Sequence, residues 1–527
     1  MKSNIGTALF VAAGFFGLEI LAQAQPITNQ TASASAPTNE SVPIPLFIPV
    51  LTTNPAPTSP SGTALGTKAN LPFYKRLDQA LREQLGMPAY TPPALPVPGA
   101  PPPAVTRRGN PAPFDSPPYP DGEWQLGGSE IIGDMNLTPD YPLMQAIYQG
   151  PHGQAVANTG VKLYGWEDVS GNVSTSGQQG VNPRTGSGAN FPEAYDSRPN
   201  RLEQNQFVLY LERTADEFQT DHLDWGFRLS WVYGLDYRYM ISRGFFSDQL
   251  LVENRFYGFD CPMMYGTIYI PRIFDGENIM IGRTISMADI EAQLAPNNLM
   301  SSHSLLYAFD PYCQWGIFST TKINRNWIFQ AGLSCGNDLA IWETRDAGYQ
   351  PTAAVMVQYQ SDNNKFSFYG GGNAINNAEW GFNNLQQYVG TFTYKLNDTI
   401  WTSHETWYMY QHDAKTGPTP SVPYTDGEFP NKPGYAPEWA TLNYTMFRLG
   451  PGTFFTVRNE LFDDIVGQRT GYTTLYSEHS IGLAWWPSQL ITIRPELRFE
   501  HAYQAYAYDN GTRKSQFTAQ CDIVFHF

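Results

Sequence analysis

The final residues of the chain, Phe517 to Phe527, alternate between apolar and polar side chains and end on an aromatic residue. Such a strand has one face suited to lipid and one suited to a polar lumen, as in the last strand of an outer-membrane β-barrel. The terminal aromatic also resembles the tag that barrel-assembly machinery binds, so Phe527 is predicted to contact that machinery. On these residues alone, an edge strand of a soluble sheet is the alternative.

The same period of two recurs from about residue 160 onward. Residues 225–234 and 491–500, for example, alternate apolar with polar side chains, and charge lies on the polar face. This period is typical of strands with one apolar and one polar face. Short polar connectors such as 361–364 take turns with long ones such as 235–262. The pattern predicts an all-β fold, an antiparallel up-and-down transmembrane barrel of about 16 strands over 160–527, with both ends in the periplasm.

Composition agrees with a barrel wall that faces lipid. Aromatic residues make up 14% of the chain and charged residues only 15%, against about 25% charge in soluble proteins. After Leu21 no apolar run is long enough for a membrane-spanning helix. The net charge of −16 argues against a nucleic-acid partner, which requires a basic surface.

The N-terminal third divides into three segments. Residues 1–24 have a basic start, an apolar stretch and the small-residue site Ala22-Gln23-Ala24, which predicts a signal peptide. Residues 25–120 form a Pro-rich periplasmic leader with one short helix near 72–86. That helix either docks on its own barrel or contacts a periplasmic partner or a second copy. Residues 121–159 connect the leader to the barrel, and Tyr141–Tyr148 is predicted to form a short helix that enters the lumen.

The four cysteines show no metal-binding spacing. Cys313 and Cys335 are symmetric about residue 324, the predicted centre of a hairpin, so they would face each other on neighbouring strands. A cross-strand disulfide and two separate apolar cysteines are both compatible with this spacing. Cys261 and Cys521 have no predicted partner.

Charged residues inside strands are the candidate functional groups, because lipid does not tolerate them at mid-depth. They form either a salt-bridge ladder that stiffens the wall or a charged pore lining that sets selectivity. The predicted pore-lining residues are Arg228, Arg283, Arg448, Arg458, Glu460, Arg494, Glu496 and Arg498.

Catalytic chemistry finds little support in the sequence. His303-Ser304 and His479-Ser480 place His beside Ser, but no third residue completes a nucleophile and base arrangement. No enzyme activity, catalytic residue, metal or other cofactor is therefore predicted.

Several motifs together resemble the OmpL-like β-barrel porin family of Gram-negative bacteria. The similarity extends over roughly residues 115–527 and implies an outer-membrane channel without a particular substrate. The motifs are Asp115–Pro120, Tyr164–Trp166, Thr220–Arg228, Tyr233–Tyr239, Gly282-Arg283, Asp289–Asn298, Arg458–Glu460 with Asp463 and Gly467, and Arg494–Arg498.

The third long connector, 286–303, contains a predicted helix that begins at Ser286 and ends at Pro296. In general porins the third loop folds into the lumen and narrows it with carboxylates. By that analogy Asp289 and Glu291 would form a constriction opposite the arginines, and a helix on the barrel rim is the alternative.

The expected function is passive diffusion of small hydrophilic solutes or ions through a charged lumen. The main alternative is a structural outer-membrane barrel that binds a partner or the cell wall through its leader. A lipase or protease and a sheath around an electron-transfer protein are weaker alternatives. Outer-membrane lipids are expected partners, and a homo-oligomer is left open.

Overall fold

The computed structural model describes residues 70–87 and 140–527. Within the second range the exceptions are 179–187, 194, 218, 241, 243, 246–255, 286–288, 343–350, 364, 377–385, 398, 413–433 and 451. The predicted signal peptide and most of the predicted Pro-rich leader lie outside the described residues.

One antiparallel sheet contains every strand of the described chain. The strands are β1 (Lys162–Ser174), β2 (Leu202–Arg213), β3 (Asp224–Gly234), β4 (Gly258–Asp260), β5 (Met264–Ile270), β6 (Glu277–Ile285), β7 (Cys313–Lys322), β8 (Trp327–Asn337), β9 (Thr352–Gln360), β10 (Phe366–Ile375), β11 (Gln386–Asn397), β12 (Ile400–His412), β13 (Tyr435–Gly450), β14 (Thr453–Asp464), β15 (Thr474–Ser488), β16 (Ile491–Ala502) and β17 (Ser515–His526).

The sheet closes into a barrel because β1 pairs with both β2 and β17. The closing register sets Trp166 opposite His526, and the backbone N–H of Phe527 donates to the Gly165 carbonyl oxygen at 3.0 Å. Strands β4 and β5 both pair with β3 and are two parts of one interrupted wall strand. The wall therefore has sixteen strands, which confirms the predicted fold class.

Connectors of two lengths alternate around the barrel. The shorter ones include 323–326 and 361–365, and the longer ones include 286–312 and 503–514. The predicted alternation is present, and both ends of the barrel chain lie at the short-connector end. Connector 376–385, between β10 and β11, also belongs to the long-connector end and was not predicted.

The wall has apolar side chains on its outer face and charged side chains on its inner face, the reverse of a soluble protein. On β16 the outward Leu497 and Phe499 are 44% and 43% exposed, whereas the inward Arg494, Glu496 and Arg498 are at most 3% exposed. An exposed apolar face around buried charge is stable only when lipid covers the outside. Outward aromatic residues such as Trp225, Trp327, Tyr388 and Trp485 are likewise exposed.

Two short helices lie at the short-connector end of the barrel. Helix α1 (Phe73–Leu85) contacts α2 (Pro142–Tyr148), where Arg76 Nε donates to the Ala146 carbonyl oxygen at 2.8 Å. The Tyr141 ring, just before α2, stacks on the inward His526 at 4.7 Å. The backbone N–H of Gln489, beside the turn between β15 and β16, donates to the Met87 carbonyl oxygen at 3.1 Å. Helix α1 therefore docks on its own barrel.

The described chain has two further α-helices, α3 (Gly153–Ala157) and α4 (Leu305–Ala308), and two 3-10 helices, Leu235–Tyr239 and Ala295–Asn297. Among the described residues, no helix is long and apolar enough to cross a membrane.

Of the two alternatives for Cys313 and Cys335, the structure has separate cysteines, since all four cysteines are free. The cysteine spacing assumes a hairpin centre at residue 324. In the structure Thr320 pairs with Gln330, so the centre is at residue 325. A bulge before Gly316 shifts the register further. Cys313 consequently lies opposite Ile285 of β6, whereas Cys335 packs beside the small apolar cluster that contains Trp315.

Candidate channel constriction

The connector between β6 and β7 turns into the barrel. Its residues 289–312, called the third connector below, are buried except for Ala308. The predicted helix ending at Pro296 is not present: Ser286 lies outside the described residues, 289–294 are not helical, and Pro296 sits in a 3-10 turn, Ala295–Asn297. The reason is that wall side chains bind the backbone N–H groups and carbonyls of this segment, so a helix is not needed to satisfy them.

Wall glutamates accept hydrogen bonds from the backbone of the third connector. Glu405 of β12 accepts from the N–H of Ile290 at 2.8 Å. Glu460 of β14 accepts from the N–H groups of Leu305, at 2.8 Å, and Leu306, both in the first turn of α4.

Glu496 of β16 accepts from the N–H of Ser302 at 2.9 Å and from its hydroxyl at 2.6 Å. It also accepts from the Ser301 hydroxyl at 3.1 Å. Acceptors that carry full charge form the stronger class of hydrogen bond.

Wall arginines donate to the carbonyl oxygens of the same segment. Arg494 Nη1 donates to the Asn298 carbonyl at 2.8 Å and also to that of Ala295. Arg458 Nη1 donates to the Ser302 carbonyl at 2.8 Å, and Arg498 Nη1 to the His303 carbonyl at 2.6 Å.

The charged rows on β14 and β16 therefore hold the third connector rather than face an open water path. Arg458 is also paired with Glu478 at 3.1 Å and with Glu496 at 3.2 Å, and Arg494 is paired with Asp522. Buried charges are stable only when each is paired and hydrogen-bonded. The connector supplies part of that pairing, so connector and wall stabilise one another.

The two predicted constriction residues have different surroundings. Glu291 meets the basic wall as expected, with Oε1 3.2 Å from Arg458 Nη1, and it also accepts from the Ser304 N–H at 3.0 Å. Asp289 lies instead among acidic groups, beside Asp310 and Glu405.

Burial, and next the charge of Asp289, raises the pKa of Asp310 well above its ordinary value. Such neighbouring carboxyl groups are stable when they share protons. Within the described part of the chain, no group of three or more His, Cys, Asp or Glu side chains is arranged to hold a metal ion.

Three of the predicted pore-lining arginines lie away from these rows. Arg228 pairs with Glu212 at 2.8 Å on the neighbouring strand. Arg283 donates to both carboxylate oxygens of Asp260 at 2.9 Å and lies over the Phe245 ring. Arg448 is half-buried near the end of β13, beside a short connector.

Tyr195 of the first long connector (175–201, between β1 and β2) and Gln206 of β2 also hold the third connector, and neither was predicted from the sequence. The Tyr195 hydroxyl donates to Gln293 Oε1 at 2.6 Å, and the Tyr195 ring stacks on His303 at 3.9 Å. Gln206 of β2 donates to the Gln293 carbonyl and accepts from the Ala295 N–H. No spacing pattern in the sequence links these residues, because they are about 100 positions apart.

The third connector thus crosses the barrel interior from β2 to β12. A small cavity remains beside it, where it meets β12 and β13. Its lining residues are Ile290, Asn298, Leu299, Ser403, Tyr444 and Met446, none of which is charged. The third connector is thus held inside the barrel, with a narrow space lined by uncharged residues at one side.

Comparisons with known proteins extend this description. A family model described as "Putative beta-barrel porin-2, OmpL-like" matches residues 168–527. No curated protein matches the chain.

Three of the solved structures to which this chain is similar are outer-membrane proteins. They are the outer membrane channel DcaP of Acinetobacter baumannii (TM-score 0.41, 11% identity, covering 70% of this chain and 97% of that one), an anion-selective porin from Comamonas acidovorans (0.42, 12%, 70% and 99%) and the trimer form of OmpT of Vibrio cholerae (0.41, 8%, 70% and 99%).

Proposed function

Because the chain belongs to the OmpL-like β-barrel porin family, we propose that it forms a channel through which small hydrophilic solutes and ions diffuse passively. It is a β-barrel of the outer membrane of a Gram-negative bacterium. The long connectors then face the exterior and the short ones the periplasm. Family and fold are those of a channel rather than of an enzyme.

The main support for this proposal is that the third connector is fixed inside the barrel. It is attached to the inner wall through charged hydrogen bonds at β12, β14 and β16, for example at Glu405, Glu460 and Arg494. A diffusion channel needs a constriction whose position is fixed, because selectivity depends on the distance between solute and wall.

Other partners follow from the same wall. The exposed apolar face is expected to contact outer-membrane lipids, and Phe527 the barrel-assembly machinery. The sequence leaves a homo-oligomer open, and chemical crosslinking in native membranes would detect one. No cofactor is required for passive diffusion.

Single-channel recording in a planar bilayer tests the proposal. The refolded chain from Gln25 onward should give discrete, stable conductance steps. Folding is verified separately by the heat-modifiable migration of the barrel in gels. The complete absence of steps from folded protein would contradict the proposal.

A tethering role remains the second candidate, because α1 exposes Tyr74 (66%), Phe73 (43%) and nearby Met87 (47%). Deletion of residues 25–120 separates the two functions. A channel should still conduct after this deletion, whereas a tether should lose its partner. Turnover of phospholipid or peptide by the folded protein would instead favour an enzyme.

A further inference from the structure

Charge is distributed unevenly around the inner wall. Two strands alone, β14 and β16, carry Arg458, Glu460, Arg494, Glu496, Arg498 and Glu500, all buried. In contrast, the five strands from β7 to β11 contain no Asp, Glu or Arg. Their only charged residues, Lys322 and Lys395, lie at or near the strand ends beside short connectors.

Amide and hydroxyl side chains cover the inner face of β7 to β11. Gln314 donates to Asn373 Oδ1 at 2.7 Å, and Asn373 donates to Gln387 Oε1 at 3.0 Å. Nearer the periplasm, Gln330 donates to Thr320 Oγ1 at 3.0 Å. These groups run along the wall from the external end towards the periplasmic end.

Two of these amides have unused hydrogen-bonding capacity. Gln358 Oε1 and Gln387 Nε2 are buried and have no hydrogen-bond partner in the part of the chain that the structure describes. Gln358 is 5% and Gln387 0% exposed. A buried polar atom without a partner is costly unless water or a ligand binds it. One acceptor and one donor are therefore available at different heights of the same wall.

The third connector is attached to the opposite half of the barrel. All of its strand contacts described above lie on β2, β12, β13, β14 and β16. The cavity beside it, lined by Ser403 and Met446 among others, is uncharged as well. The charged half of the wall is thus occupied by the connector, and none of the connector contacts described above lies on the uncharged strands β7 to β11.

We propose that solutes pass between the third connector and the wall formed by β7 to β11, and that this path favours uncharged, hydrogen-bonding solutes such as polyols and small sugars over ions. The inference rests on the proposed function and names its substrate class. An ion in a narrow path loses part of its hydration, and this loss is costly unless opposite charge or a full set of oxygen ligands replaces the water. A polyol can exchange its water hydrogen bonds for bonds to amides, which both donate and accept.

Liposome swelling tests the proposed path with three solutes of similar size, namely glucose, gluconate and glucosamine. Glucose should enter severalfold faster than either charged analogue. In a KCl gradient, the reversal potential of the wild-type channel should lie near zero. Faster entry of gluconate or glucosamine would refute the proposed path while leaving the channel intact. No swelling with any solute would refute the channel and the path together.

Charge insertion locates the path. Gln358→Glu and Gln387→Glu should shift the reversal potential towards cation selectivity and slow gluconate further. Gln358→Asn keeps an amide and should behave like the wild type, which controls for folding. Glu212→Gln removes a charge from the other half of the wall and should leave selectivity unchanged. A shift caused by Glu212→Gln but not by Gln358→Glu would place the path on the charged side and overturn the proposal.

Discussion

Replacement of Glu496 by glutamine should loosen the third connector without unfolding the barrel. Glu496 is 3% exposed and accepts from the N–H of Ser302 at 2.9 Å and from its hydroxyl at 2.6 Å. Hydrogen bonds to a charged group contribute about 1.5–3 kcal/mol each and neutral ones about 1 kcal/mol. An isosteric amide therefore loses on the order of 2 kcal/mol of attachment, which corresponds to a roughly 30-fold larger open population.

Hydrogen exchange followed by mass spectrometry measures this population directly. Peptides that contain Ser302 should exchange about 30-fold faster in Glu496→Gln than in the wild type, since local opening controls exchange. The matched control is Glu212→Gln, because Glu212 is equally buried and pairs with Arg228, away from the connector. Unchanged exchange at Ser302, or an equal increase in the control, would refute the reasoning.

Four further predictions concern stability and assembly. Burial raises the pKa of Asp196, in the first long connector, from 3.8 to about 7. Between pH 3.8 and about 7 the folded protein keeps a proton on Asp196 that the unfolded chain has lost. The free energy of unfolding should therefore fall as pH rises through this range. The unfolding temperature of Asp196→Asn should exceed that of the wild type by a margin that grows as pH rises from about 4 to about 7. A margin that does not change with pH would contradict this prediction. Gly234 has a φ of +146°, and a Cβ there would lie 2.1 Å from the Asn205 carbonyl oxygen. Gly234→Ala should therefore lower the unfolding temperature. Gly450→Ala should not, because no atom lies within 4 Å of a Cβ at that position. Phe527→Ala should reduce outer-membrane yield in cells more than refolding in detergent, and equal losses would argue against a role in assembly. Arg76→Ala removes a buried bond to α2 and should speed hydrogen exchange in α1, whereas Arg82→Ala, an exposed pair with Asp78, should not; equal exchange in both variants would mean that Arg76 does not hold α1.

The strands were predictable because their signal is local. Alternation such as Thr492-Ile493-Arg494 follows from the geometry of a strand between lipid and a polar interior. Connector 376–385 was missed because Trp380 and Phe382 continue the period of two beyond β10. Cross-strand pairs such as that of Cys313 are harder to predict, since a one-residue error in the hairpin centre changes every cross-strand partner.

The constriction was only partly predictable, because its contacts are far apart in the chain. The analogy with general porins set Glu291 opposite the arginine rows, and in the structure Arg458 lies 3.2 Å from the carboxylates of both Glu291 and Glu496. It gave no indication that wall charges would bind connector backbone, as Glu460 does at Leu305. Nearly every residue has the same backbone N–H and carbonyl groups, so a sequence does not show which of them a side chain will bind. Such contacts are found only once the fold is known.

The central claim is that the third connector narrows a conducting barrel. Its most direct test is single-channel recording of the wild type beside a variant whose residues 290–303 are replaced by a short Gly-Ser linker. We predict discrete steps from both proteins and a severalfold larger conductance for the variant. Equal conductance from the two folded proteins would contradict the claim that this connector is the constriction.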